Sequence, residues 1–192
     1  IERDPAAGIR REITWKEFDN TANRFANFLI SRGIKPGDKV GLLLMNCLEW
    51  LPIYFGILKT GAWAVPLNFR FTADEIHKCM EVSEAKILIY GPEFIEAIKC
   101  VRKKAGFLKD YVFVGESVDN HNNDHLFSRI ISEFSTHSPD ISIADEDEAA
   151  LYFTSGTTGT PKPIVLTHGN LVSACITENH HHLQTHEDNF LC

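Results

Sequence analysis

The sequence predicts an α/β protein, a mostly parallel β-sheet flanked by helices. Three observations carry that expectation. Strand and helix signals alternate from Thr14 to Gly115. The strand candidates are almost continuously apolar, as strands covered on both faces must be. Helix starts are marked by Thr-x-x-Glu capping boxes, Thr14 with Glu17 and Thr72 with Glu75, in which hydroxyl and carboxylate satisfy free N–H groups of the first turn.

Taken in order, Trp15, Phe18, Ala22, Phe25 and Leu29 line one face of a first helix, and the turn "KPGD" (Lys35–Asp38) ends that unit. A buried strand follows over "KVGLLLM" (Lys39–Met45). Asn46 with Glu49 then opens a strongly apolar second helix running to about Thr60. "AWAVPLN" (Ala62–Asn68) reads as the next strand, Thr72 opens a third helix, and "KILIY" (Lys86–Tyr90) is a short strand. A helix over Glu93–Lys104 and a strand over Tyr111–Gly115 continue the alternation. The polar "ESVDNHNND" (Glu116–Asp124) reads as a surface loop and Leu126–Phe134 as a helix. The acidic stretch within Ser135–Ala149 is expected to be a solvated connector into the strand "AALYFTS".

Composition narrows the partners. A hydrophobic content of 44% over 192 residues suffices for a packed core. The net charge of -7, with no basic cluster beyond Arg102–Lys104, argues against nucleic acid or an anionic membrane surface, so an anionic ligand must be held locally. No apolar run reaches the roughly 18 residues of a membrane span, and a cytoplasmic location is expected. Cys47, Cys79, Cys100, Cys175 and Cys192 form no C-x-x-C pair and are expected to be reduced thiols, mostly buried. Trp15, Trp50 and Trp63, with Tyr54 and Phe55, are read as core. A start at "IERDP" and an end at "NFLC" suggest part of a longer protein.

The chemistry concentrates between two apolar runs, in Thr154, Ser155, Gly156, Thr157, Thr158, Gly159, Thr160, Pro161 and Lys162. Glycines can turn backbone N–H groups toward one point, hydroxyls add donors without bulk, and lysine brings a movable charge. Together these suit a polyphosphate, while an ordinary flexible Gly/Thr loop is the alternative on composition alone. A Walker loop is excluded, because counting from Gly156 puts Pro161 and Pro163 where a glycine and a magnesium-binding hydroxyl belong. A G-x-S-x-G elbow fails as well, since Phe153 and Thr157 flank Ser155 at the glycine positions.

"YFTSGTTGTPKPIVLTHGNL" resembles the phosphate-binding signature of the adenylate-forming superfamily, and "ITWKEFDNTANRFANFLISRGIKPGDKVGLLLMNCLEW" and "ILKTGAWAVPLNFRFTADEIHKCMEVSEAKILI" resemble the start of acyl-CoA synthetases. The resemblance covers nearly the whole chain from Thr14. It implies the first part of a large N-terminal domain, with residues 1–192 an incomplete AMP-binding domain lacking the later motifs and the small C-terminal domain. It also implies activation of a small-molecule carboxylic acid by ATP to an acyl-adenylate, then thioester formation with CoA. Thr154, Ser155, Gly156, Thr157, Thr158 and Gly159 would cradle the β and γ phosphates. Lys162 would act as a charged tether, with Lys162 and Thr158 the residues assigned to catalysis. Mg²⁺ is expected with ATP, and no residue here is assigned to it. A domain loading a carrier-protein thiol and a non-catalytic nucleotide-binding relative are the alternatives.

Pro163 departs from the pattern. The family's lysine is usually followed by glycine, and proline removes a backbone donor beside the loop, at a cost of about 1 kcal/mol if that N–H binds phosphate. His182 and His186 have the i, i+4 spacing of a helical metal pair, but without a third ligand they and His180 and His181 read as an exposed helix end. His168 follows the strand leaving the loop. The resemblance places that neighbourhood near the nucleotide, and a structural role is the simpler reading.

Overall fold

The computed structural model describes residues 1–4, 8–116, 124–154 and 161–185. Two short strands, β1 (Glu2–Asp4) and β2 (Ile9–Arg11), form an antiparallel hairpin that the sequence did not signal. Helix α1 (Trp15–Ser31) starts on the expected capping box: Glu17 N–H donates to Thr14 Oγ1 at 3.2 Å, and Thr14 N–H donates to Glu17 Oε2 at 2.7 Å. Strand β3 (Lys39–Leu43) leads to α2 (Trp50–Leu58) and β4 (Trp63–Pro66). A second Thr–Glu box, at Thr72 and Glu75, opens α3 (Ala73–Ser83). Next come β5 (Ile87–Tyr90), a 3-10 turn (Pro92–Phe94), α4 (Ile95–Lys104) and β6 (Asp110–Phe113). A two-residue strand β7 (His125–Leu126), also unexpected, precedes α5 (Phe127–Glu133). Strand β8 (Glu148–Thr154), strand β9 (Lys162–Thr167) and helix α6 (His168–His182) complete the described chain.

The main sheet has the order β7-β6-β5-β3-β4-β8-β9. Every neighbouring pair is parallel except β8 with β9, which is antiparallel. Alternate residues of each strand feed two cores. Val40 and Leu42 of β3 join Phe25, Leu29, Ile53 and Ile57 of α1 and α2 on one face, while Leu43 joins Ile76, Met80, Ile98 and Val101 of α3 and α4 on the other. Gly41 allows α3 its close approach, since a Cβ there would lie 2.5 Å from Met80 Sδ and 2.9 Å from Leu88 Cδ1.

Several expectations are corrected. Trp15 is 86% exposed and Phe55 is exposed; Trp50 and Trp63 are half-buried, and Tyr54 alone of the five is buried. Trp15 lies in the first turn of α1, where its ring meets only the edge of Phe18. Cysteines are not mostly buried: Cys79 is buried, Cys47 half-buried, and Cys100 and Cys175 are exposed, with Cys192 outside the described residues. Asn46 and Glu49 form no capping box. Glu49 is the N-cap position of α2 without a side-chain cap bond, because its carboxylate is engaged by Arg11 at 2.7 and 3.1 Å. The acidic run Asp145–Glu148 is exposed, as expected. The start of the connector is instead held down, with Asn23, Arg24 and Asn27 of α1 donating to the carbonyls of Phe134, Ser135, Thr136 and His137 at 2.7–3.0 Å. Among the described residues, no helix is long and apolar enough to cross a membrane.

Candidate functional site

Ala149, Ala150 and Leu151 bury the first half of β8 in the sheet, beside β4. Because β8 runs parallel to β4, its C-terminus emerges at the carboxyl ends of the parallel strands, the end at which open α/β sheets receive ligands. Strand β9 runs antiparallel to β8, in the register Thr154 with Lys162, Phe153 with Pro163, Tyr152 with Ile164 and Leu151 with Val165. Two of the expected site residues are thereby brought face to face. Thr154 Oγ1 lies 3.5 Å from the Lys162 carbonyl, at the long limit of a hydrogen bond. Lys162 is exposed and, among the described residues, forms no ion pair. Ser155, Gly156, Thr157, Thr158 and Gly159 lie outside the described residues.

Pro163 sits in the edge strand of the sheet, where a residue without an N–H is tolerated. His168 is at the opposite end of β9 from the loop, about 20 Å away at the rise of an extended strand. Its N–H donates to the Asp147 carbonyl at 3.0 Å and that of Gly169 to the Asp145 carbonyl at 2.8 Å, tying the start of α6 to the turn before β8. Both are backbone bonds that do not use the imidazole, whose Nε2 is buried without a hydrogen-bond partner among the described residues. His180, His181 and His182 are exposed, and His182 Nε2 lies 3.2 Å from Glu178 Oε2. His186 lies outside the described residues, and among the described ones no three His, Cys, Asp or Glu side chains converge as a metal site.

A separate cleft of about 390 Å³ opens at the carboxyl ends of β3, β5 and β6. It is lined by Arg11 and by the carboxylates of Glu2, Glu49, Glu93 and Glu116. The Arg11 guanidinium is paired with Glu49 and Glu2, and its pKa is raised above the ordinary value by Glu49 first, against the effect of burial. Surplus carboxylates make this cleft a poor seat for a polyphosphate. Cys47 on its wall is pushed up to about 11 by burial and stays a thiol at neutral pH.

One polar contact near Thr154 has no signal in the sequence. Tyr152, two residues before Thr154, meets Tyr54 of α2 hydroxyl to hydroxyl at 3.1 Å. The partners lie 98 residues apart, and neither periodicity nor motif connects them.

Comparison with known proteins fits this geometry. A family profile described as AMP-binding enzyme matches residues 3–192. Crotonobetaine/carnitine–CoA ligase of Salmonella agona is 33% identical over 168 residues, 85% of this chain and 32% of the relative. A long-chain-fatty-acid–CoA ligase of Mycobacterium tuberculosis is 33% identical over 174 residues, 89% of this chain and 32% of the relative. Among solved structures, an anthranilate CoA ligase in complex with anthranoyl-AMP superposes with a TM-score of 0.78 at 33% identity, covering 82% of this chain and 30% of that one. The N-terminal domain of a Mycobacterium tuberculosis protein, FACL13, superposes at 0.73 with 31% identity, covering 85% and 39%. The chain thus spans about a third of the length of the curated relatives it matches. On its fold and its sequence alike, it belongs to the family of AMP-binding enzymes.

Proposed function

We propose that residues 1–192 are the first part of the large N-terminal domain of an ATP-dependent acid–CoA ligase. The observation that carries the reading is the Thr154–Lys162 register, which sets a lysine with no ion-pair partner among the described residues opposite a threonine, at the two ends of a glycine- and hydroxyl-rich segment and at the carboxyl end of the parallel strands. The relatives, ligases that act with CoA, supply the substrate class, a carboxylic acid joined to CoA.

In the first step a carboxylate oxygen bonds to the α-phosphorus of ATP and the bond to the β-phosphate oxygen breaks, releasing pyrophosphate. In the second, the CoA sulfur bonds to the acyl carbon, the bond from that carbon to the AMP phosphate oxygen breaks, AMP leaves, and the thiol proton passes to solvent. No side chain of this chain acts as nucleophile. Its contribution is positional and electrostatic: Thr154 to Gly159 hold the β and γ phosphates, while Lys162 and Thr158 stabilise the charge that builds on departing pyrophosphate. Mg²⁺ would accompany the triphosphate, and no described group of residues is placed to hold it.

ATP–pyrophosphate exchange by the full-length protein, run over a panel of carboxylic acids, tests the reading. Exchange with at least one acid, and a CoA thioester as product, is expected. Nucleotide binding without exchange for any acid overturns it in favour of a binding-only relative, and transfer to a carrier-protein thiol in place of CoA overturns the second step. Lys162→Ala is expected to slow exchange roughly ten- to a hundredfold, the worth of a charge-assisted bond of about 1.5–3 kcal/mol. Exchange at the wild-type rate removes Lys162 from the site.

A further inference from the structure

The tip of β8 is poorly held by its backbone. Its register with β4 is Ala64 to Ala150, which places Pro66, the last residue of β4, level with Tyr152. Beyond that point, among the described residues, β9 is the strand that pairs with Phe153 and Thr154, and Pro163 stands opposite Phe153. Two residues without N–H groups therefore flank the end of the strand that launches the loop.

Side chains make up the difference. Phe153 packs against the α3/α4 core, and Tyr152, on the other face, packs against the α1/α2 core. The Tyr152 hydroxyl meets that of Tyr54, whose ring stacks on Trp50 with centroids 5.3 Å apart and planes 13° from parallel. Tyr54 is buried, with its ring held against Trp50. We infer that Tyr54, through Tyr152, is a positioning residue: the hydroxyl pair fixes where β8 delivers Thr154 and its partner Lys162, the two described residues that the proposed function sets against the triphosphate. The role toward ATP rests on the proposed function, whereas the strut itself does not.

The test uses the full-length protein with Tyr54→Phe, Tyr152→Phe and the double variant, each of which keeps the ring and removes the bond. Each single variant is expected to raise the KM for ATP about two- to tenfold, the range of one neutral hydrogen bond, with the KM for the acid and the melting temperature nearly unchanged. The double variant should be no worse than either single one, because the first substitution already breaks the contact. Independently of activity, amide hydrogen exchange over residues 151–165 should speed up by a similar factor while α2 and β3–β6 stay as they are. Unchanged amide exchange in that segment, or additive effects of the two substitutions, overturns the strut. A wild-type protein without pyrophosphate exchange sinks the proposed function instead, and the amide measurement still decides on Tyr54.

Discussion

Helices α3 and α6 begin alike and end in opposite surroundings. Each follows a threonine whose hydroxyl accepts from the N3 amide, Thr72 with Glu75 and Thr167 with Asn170, and in each the N3 side chain accepts from the cap backbone in return. Yet α3 buries Ile76, Cys79, Met80 and Ser83, while none of the residues of α6 is buried and Ile176 is 64% exposed. The buried residues of α3 keep the i, i+3, i+4, i+7 spacing of a single stripe. In α6 the apolar Leu171, Val172, Ala174, Cys175 and Ile176 are nearly consecutive, so they run round the helix, and only Leu171 packs against the core. A cap sets where a helix starts; the stripe sets whether it packs.

Thiol chemistry gives the widest contrast. Cys79 in α3 is buried and pushed up to about 12 by burial, whereas Cys175 in α6 is exposed. Alkylation of Cys79 at pH 8 should be on the order of a thousandfold slower than that of Cys175, since it requires opening of the core. Comparable rates, followed by mass spectrometry, erase the distinction. Next in size, Ile76→Ala should cost about 2–5 kcal/mol in denaturant unfolding and Ile176→Ala no more than about 0.5 kcal/mol. A loss above about 2 kcal/mol for Ile176→Ala would show α6 to be packed. The smallest effect separates capping from burial: Thr72→Ala and Thr167→Ala should each cost about 1 kcal/mol in thermal unfolding, because the cap is local. A loss confined to Thr72→Ala would make the cap depend on packing after all.

Periodicity and caps made most of the sheet readable. The strand expected over Lys39–Met45 is observed as Lys39–Leu43, and both Thr–Glu boxes form as expected. The errors have physical causes. Glu49 was read as a local capping residue, but Arg11, distant in sequence, competes for its carboxylate. The strands β1, β2 and β7 are three, three and two residues long, too short for any alternation to show. Trp15 has an apolar ring, and only its place in the first turn of α1 leaves it in solvent. At the candidate site, the hydroxyls, glycines and lysine of the loop were visible as a run. The pairing of Tyr152 with Tyr54 depends on how α2 crosses the sheet, which no single stretch encodes.

The carbonyls held by Asn23, Arg24 and Asn27 carry a consequence for the order of assembly. Each bond joins residues 108 to 113 positions apart, so the crossover cannot be fastened until α1 exists and everything between has been made. Closing so long a span brings its entropic cost early and its return late. Strand β8 follows the crossover in the chain, so its pairing beside β4 and the fastening of the strap both wait on the same long closure.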